Sequence, residues 1–91
     1  MLPLTPHDIH TRPPAALVAA IRERHGLTQL QCAYIVGVTR RAWIGYETKD
    51  QAIPLGLWWL FLLRTQEINE SHLLPIPPRQ RAGAMVHLRP A

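Results

Sequence analysis

The feature that most restricts the fold of this chain is a glycine, Gly37, between two short segments that each carry a helix start signal. Thr28 precedes the first segment and Thr39 precedes the second, and threonine is a favoured N-terminal capping residue. Gln31 follows Thr28 by three residues, which is the spacing of a capping box. The tight turn between such segments requires a left-handed backbone conformation, which glycine adopts readily. We therefore expect two short helices that cross steeply around Gly37.

The rest of the chain predicts two or three further helices. The segment after Pro14 is rich in alanine and is predicted to be helical up to Gly26, which suits a helix end. A fourth helix is predicted to start at Pro54. Residues 66–74 either continue that helix or form a short fifth one. The predicted fold is therefore all-α, with four or five helices in residues 13–74.

The two ends of the chain hold eight of the nine prolines. Residues 1–12 show no helical periodicity and are predicted to be a flexible arm. Residues 75–91 form a basic, proline-rich tail, which we expect to be flexible, with an exchanged strand in its AMVHL stretch as the alternative.

The composition excludes several classes of protein. The net charge of +4 and the pI of about 10.2 favour a polyanionic partner, either nucleic acid or an anionic membrane surface. The longest apolar run, over residues 55–63, is about half the length that a membrane span needs. Cys32 is the only cysteine and the five histidines have no ligand spacing, so we expect no disulfide and no metal site. We find no paired carboxylates, phosphate-binding loop or activated nucleophile, which predicts no enzyme activity and no cofactor. The N-terminus lacks the pattern of a signal peptide, which predicts a cytoplasmic protein.

The predicted fourth helix is apolar on almost every side. A small chain has too little of its own surface to cover such a helix, so we expect part of it to face a second copy of the chain. The predicted homodimer face consists of Leu57, Trp58, Phe61 and Leu62. A ligand pocket lined by Trp58, Trp59 and Phe61 is the less favoured alternative.

The run LTQLQCAYIVGVTRRAWIGYE, residues 27–47, resembles the helix-turn-helix family of Cro and the phage repressors, also called the Xre family. The resemblance extends over about residues 15–65 and implies a lambda-repressor-like fold. It rests on ten positions in register: Leu27, Thr28, Gln29, Ala33, Gly37, Val38, Thr39, Trp43, Tyr46 and Glu47.

The resemblance implies that the second helix of the pair reads double-stranded DNA in the major groove. Arg40 and Arg41 lie where family members place base-reading side chains, and arginine matches the O6 and N7 acceptors of guanine. Ile44, one turn further along, is placed to touch a thymine methyl group. Gly45 departs from the polar residue that is frequent at its position, which indicates either a lost base contact or a close approach of the backbone.

The resemblance also implies roles for residues around the reading helix. Four of them would bind DNA phosphates: Gln29, Thr39, Thr48 and Lys49. Arg22 and Glu47 match a pair that forms a salt bridge between the first and third helices of the family, which would orient the reading helix.

These observations predict a transcriptional repressor that binds a palindromic operator as a homodimer. We expect it to regulate its own operon or a neighbouring one, on a phage, a plasmid or another mobile element, and to lie with the nucleoid in the bacterial cytoplasm. Two alternatives remain open. One is an antitoxin, whose ends or aromatic helix would hold a toxin, and the other is a protein-interaction module that has lost DNA binding.

Overall fold

The computed structural model describes residues 3–73, and this part of the chain contains five α-helices, one 3₁₀ turn and no strand. This confirms the prediction of an all-α fold. None of these helices combines the length and the apolarity that crossing a lipid bilayer requires. The helices are α1 (Pro6–His10), α2 (Ala15–Arg24), α3 (Gln29–Val36), α4 (Arg40–Thr48) and α5 (Leu55–Arg64), and the 3₁₀ turn spans Glu70–His72.

The central helices start and stop where the capping residues and glycines predict. The Thr28 hydroxyl accepts a hydrogen bond from the Gln31 amide at 3.0 Å, and the Gln31 side chain accepts one from the Thr28 amide at 2.8 Å. This is the predicted capping box at the start of α3. Gly26 follows α2 with φ +66°, and Gly37 follows α3 with φ +76°. Both glycines therefore adopt the left-handed conformation that ends a helix.

The prediction of a flexible arm over residues 1–12 is wrong for Pro6–His10, which form α1. Periodicity did not reveal this helix, because five residues are too few to show it. Thr5 caps this helix: its hydroxyl accepts from the Asp8 amide at 3.1 Å, and the Asp8 carboxylate accepts from the Thr5 amide at 2.9 Å. These hydrogen bonds from Thr5 hold the pKa of Asp8 below its ordinary value. The sequence Thr5-Pro6-His7-Asp8 is itself a capping box with proline in the first turn, so a local signal for α1 was present.

Helix α1 is held to α5 by two indole groups. Trp58 donates to the Asp8 carbonyl oxygen at 2.8 Å, and Trp59 donates to the Ile9 carbonyl oxygen at 2.7 Å. Carbonyl groups in the last turn of a helix have no partner within the helix, so the two indoles satisfy them. Ile9 itself is buried in the core. The N-terminal segment therefore contributes to the core and covers one side of α5.

The predicted dimer face on α5 is wrong for three of its four residues. Trp58, Phe61 and Leu62 are fully buried within the chain, and Leu57 is half-buried. The reason is that α1 and α3 of the same chain both pack on α5. Its apolarity on almost every side is explained by the chain's own packing and does not require a second copy.

Helix α5 ends at Arg64 and does not continue through the following residues. Gln66 has φ +63°, and the Glu67 amide donates back to the Leu62 carbonyl oxygen at 2.9 Å, which reverses the chain. Ile68 is buried, and the short 3₁₀ turn stands where a fifth helix was the alternative. The predicted tail over residues 75–91, with its alternative strand, lies outside the described residues.

Candidate nucleic-acid interface

The candidate interface is built on α3 and α4, which pack against each other around Gly37. The Val38 amide donates to the Ala33 carbonyl oxygen at 2.9 Å, so the chain leaves α3 through a closed, hydrogen-bonded turn. Ala33 is buried, and its small side chain lets the two helices approach closely. The Thr39 hydroxyl accepts from the Ala42 amide at 3.1 Å and starts α4. This arrangement fixes where α4 begins relative to α3.

Helix α4 has one face in the core and one face towards solvent. Trp43 and Tyr46 are buried, and the Trp43 ring lies 4.9 Å from that of Phe61 between centroids. An α-helix has 3.6 residues per turn, so four other residues share the opposite face. The exposed residues of this face are Arg40, Arg41 and Thr48, and Ile44 is half-buried. The structure therefore places all three predicted base-reading residues on one accessible face.

The guanidinium groups of Arg40 and Arg41 are available to an external anion. Both residues are exposed, and neither forms an ion pair with another residue in the range 3–73. They occupy the first turn of α4, directly after the turn at Gly37. An arginine that is not neutralised by its own protein can offer its full set of donors to phosphate or to the edge of a guanine.

The side chain of Glu47 is the common acceptor for three helices. Arg22 of α2 donates to it through Nε at 2.6 Å and through Nη2 at 3.1 Å, which is a two-pronged ion pair. Gln29 of α3 donates to Oε1 at 3.2 Å, and the Trp43 indole of α4 donates to Oε2. The structure thus brings together the two side chains, Arg22 and Glu47, that the family resemblance paired.

This cluster is shielded from solvent and keeps the carboxylate charged. The side chain of Glu47 is 5% exposed and that of Arg22 is 17% exposed. Burial by itself raises the pKa of Glu47, but the hydrogen bonds from Arg22, Trp43 and Gln29 lower it below its ordinary value. The same contact with Glu47 raises the pKa of Arg22. Residues of α2, α3 and α4 therefore all meet at this carboxylate.

The predicted phosphate-binding residues lie around the exposed face, in different local settings. Gln29 is half-buried, and its amide nitrogen has one hydrogen on Glu47 and a second that remains free to donate. Thr39 and Thr48 are exposed. Lys49 is exposed and ends α4 in a left-handed conformation, with φ +73°. All four residues therefore lie at the ends of α3 and α4.

Gly45 faces its own chain. It is buried, and a Cβ atom at this position would lie 3.0 Å from Nε2 and 3.1 Å from Cγ of Gln51. The backbone amide of Gln51 also donates to the backbone carbonyl oxygen of Gly45 at 3.4 Å. The group that approaches this glycine is the side chain of Gln51 of the same chain. The two explanations offered from the sequence concern contact with DNA, and they stay predictions.

Two features outside this face were missed by sequence reasoning. Leu30 and Tyr34 on α3 are exposed large apolar side chains, and their spacing of four residues, off the buried stripe, was the available signal.

The second feature is the carboxylate of Glu67, which lies 2.6 Å from His25 Nε2 and 3.3 Å from Arg24 Nε. Nothing local predicts that cluster, because it joins residues more than 40 positions apart. Within residues 3–73, no three histidine, cysteine or carboxylate side chains are grouped closely enough to hold a metal ion.

Comparison with known proteins gives one informative match. No protein-family model matches the chain. A protein of Thermococcus gammatolerans with the name "Putative HTH-type transcriptional regulatory protein" is 29% identical to the chain over 83 residues. The aligned region covers 91% of this chain and 25% of that relative. The chain thus spans about a quarter of the length of the curated relative that it matches. The match leaves out less than a tenth of the chain, so it includes the whole of α2 to α5.

Proposed function

We propose that this chain is a sequence-specific double-stranded DNA-binding domain of a transcriptional regulator, with α4 as the reading helix. The observation that carries the proposal is the exposed pair Arg40 and Arg41 at the start of α4, on a helix whose opposite face is buried and ion-paired. A helix of this kind fits the major groove, where its N-terminal residues meet base edges. The name of the Thermococcus gammatolerans relative supports the same class of function.

The reading helix has the features that direct readout needs. A base-reading side chain must be held in position by its scaffold, because a mobile helix loses discrimination between bases. Trp43 and Glu47 hold α4 from the core side, while Arg40, Arg41 and Ile44 point away from it. Each arginine can make a two-pronged contact with guanine, and Ile44 can touch a thymine methyl group. Gln29, Thr39, Thr48 and Lys49 would fix the register through phosphate contacts.

The finer form of the proposal is a repressor that binds a palindromic operator and acts in the cytoplasm, where the DNA is. Two reading helices would then enter successive major grooves about one helical turn apart. Occupation of a promoter by such a complex blocks transcription without a further activity. We expect such a repressor to regulate its own operon, or a neighbouring one on a mobile element.

Selection of binding sites from random-sequence DNA tests the proposal. We expect the wild-type chain to enrich a defined sequence, and Arg40→Ala and Arg41→Ala each to cost about 1–3 kcal/mol on that sequence and to relax the preference at one base pair. Arg64→Ala is the matched control, because it removes one exposed positive charge at the end of α5. This control should weaken binding equally on all sequences or leave it unchanged. Enrichment of no sequence by the wild-type chain would contradict the proposal and favour a protein-interaction module.

A further inference from the structure

The side chain of Gln51 lies on the surface of α4, in the space that Gly45 leaves open. A Cβ atom at position 45 would lie 3.0 Å from Nε2, 3.1 Å from Cγ and 3.5 Å from Cδ of Gln51. Most of the glutamine side chain is therefore in contact with the helix at this glycine. Gly45 is buried and Gln51 is exposed, so Gln51 forms the outer layer here. A residue from outside α4 thus supplies the side chain at this part of its surface.

The loop after α4 holds the backbone of Gln51 in place. Lys49 ends α4 with φ +73°, and the chain turns back towards the helix. The backbone amide of Gln51 then donates to the backbone carbonyl oxygen of Gly45 at 3.4 Å. Two residues later, Ile53 is buried in the core. The position of Gln51 is therefore determined by a hydrogen bond to α4 on one side and by a core residue on the other.

Gly45 borders the exposed face of α4. An α-helix has 3.6 residues per turn, so each residue is rotated by about 100° from the one before it. Position 45 therefore lies one turn beyond position 41 and only about 40° away from it around the helix axis. Arg41 is exposed and forms no ion pair with another residue in the range 3–73. The amide group of Gln51 thus lies beside the line of Arg41, at the edge of the surface that the proposed function places in the major groove.

The amide group of Gln51 has hydrogen-bonding capacity left for an external partner. Its Nε2 atom lies 3.5 Å from the backbone carbonyl oxygen of Ala42, a long contact to a group that can only accept. One Nε2 hydrogen points to that oxygen, which leaves the second hydrogen and the Oε1 atom free. In the major groove, adenine presents an amino donor at N6 beside an acceptor at N7, and a glutamine amide matches this pair. A phosphate offers acceptors only, so it would leave Oε1 without a partner.

We propose that Gln51 is an additional base-reading residue, which contacts an adenine beside the base pair that Arg41 contacts. This assignment rests on the proposed function and deepens it, because it names a specificity-determining residue outside the reading helix and the base that it takes. Gly45 is the positioning residue of this contact. It leaves the space in which the Gln51 side chain lies, and a side chain at position 45 would displace the amide group.

Selection of binding sites from random-sequence DNA with variants of Gln51 tests the assignment. The wild-type chain should prefer an A·T pair, in one orientation, next to the pair whose preference relaxes in Arg41→Ala. Gln51→Ala should lower the preference for that A·T pair by about 5-fold or more and keep the preferences at the other pairs. Gln51→Glu should replace adenine by cytosine there, because a carboxylate accepts from the N4 amino group of cytosine. Circular dichroism of both variants should match that of the wild type, since Gln51 is exposed.

Two further variants test the positioning role of Gly45 and the specificity of the effect. Gly45→Ala should relax the preference at the same base pair, because the new methyl group displaces the glutamine amide. The double variant Gly45→Ala with Gln51→Ala should lose no more than either single variant, since both remove one contact. Gln66→Asn is the matched control: it shortens an exposed glutamine after α5 and suits the left-handed backbone there, with φ +63°. This control should keep every base preference of the wild type.

Four outcomes would overturn the assignment while the proposed function stands. They are unchanged preferences in Gln51→Ala, equal weakening on all sequences, which indicates a phosphate contact, a preference that depends on Gln51 but is for a base other than adenine, and additive losses in the double variant. A different pattern refutes the proposed function as well: the wild-type chain enriches no sequence, so that no base preference exists for Gln51 to change.

Discussion

Arg22 and Glu47 form a two-pronged ion pair between α2 and α4, with nitrogen–oxygen distances of 2.6 and 3.1 Å. The same guanidinium donates from Nη1 to the Leu27 carbonyl oxygen at 3.0 Å. Arg22 therefore connects three parts of the chain: its own helix, the turn that leads into α3, and the helix that presents Arg40 and Arg41. Both side chains are largely shielded from solvent, so removal of one leaves the charge of the other only partly hydrated.

We expect Glu47→Gln to lower the free energy of unfolding by roughly 2 kcal/mol, because a glutamine keeps the size of the side chain and removes the charge that Arg22 faces. Urea denaturation followed by circular dichroism measures this. Glu70→Gln, a change at an exposed carboxylate, is the control and should shift the unfolding free energy by less than about 0.5 kcal/mol. Equal stability of Glu47→Gln and the wild-type chain would show that the cluster contributes no net stability.

The same carboxylate predicts a dependence of stability on pH. Burial raises the pKa of Glu47, but the hydrogen bonds from its three donors outweigh it, so the pKa in the folded chain lies below the ordinary value of 4.5. The unfolded chain therefore takes up a proton first as pH falls. The stabilisation by Glu47 is complete at pH values above the ordinary pKa. It is lost as the pH falls through the lower pKa of the folded chain. The difference in unfolding free energy between wild type and Glu47→Gln should shrink between about pH 6 and pH 3. A constant difference over this range would contradict the assignment.

Substitution by alanine should change the free energy of unfolding in different directions at Gly37 and at Gly45. Gly37 has φ +76° and open space around it, so Gly37→Ala should cost about 1–2 kcal/mol from the backbone alone. Gly45 lies in the interior of α4, where alanine is favoured over glycine by up to about 1 kcal/mol. Its new Cβ would press only on the exposed, flexible side chain of Gln51. We expect Gly45→Ala to be neutral or stabilising in urea denaturation.

The background Gln51→Ala isolates the contact at Gly45. In that background, Gly45→Ala should show the full gain of about 1 kcal/mol, because no side chain opposes the new methyl group. A loss of stability in both backgrounds would show that Gly45 is needed for a reason other than the approach of Gln51.

Trp59→Phe should loosen α1 with little effect on the rest of the fold. The change removes the hydrogen bond from the indole to the Ile9 carbonyl oxygen, which is worth about 1 kcal/mol, and keeps an aromatic ring beside His10. Hydrogen exchange should become faster at the amides of Ile9 and Thr11, which donate within α1 and at its end. The amides of α3 are the internal control and should keep their exchange rates. Unchanged exchange at Ile9 would mean that the indole does not hold α1 in place.

The elements that were predicted from the sequence depend on local chemistry. Thr28 and Gly37 cap the two ends of α3, and Thr39 caps the start of α4, so these three boundaries follow from local sequence. The exposed face of α4 follows from the helical period alone. The pairing of Arg22 with Glu47 came from the family resemblance, since nothing local connects residues 25 positions apart.

The features that were not predicted depend on which surfaces meet. The burial of Trp58 and Phe61 could not be read from α5, because an apolar helix looks the same whether its own chain or a second copy covers it. Part of α5 is covered by α1, a helix of five residues, which are too few to show a helical periodicity. The contact of Gln51 with Gly45 likewise depends on the path of the loop after α4. In each case the missing information is tertiary.

The separation of the two sides of α4 has a consequence for protein engineering. Trp43 and Tyr46 anchor the helix through one side, while positions 40, 41, 44 and 48 lie on the other and contribute little to the core. A library randomised at those four positions should therefore yield mostly folded chains. Under the proposed function, such a library should change the DNA sequence that the chain prefers and leave the supporting framework as it is.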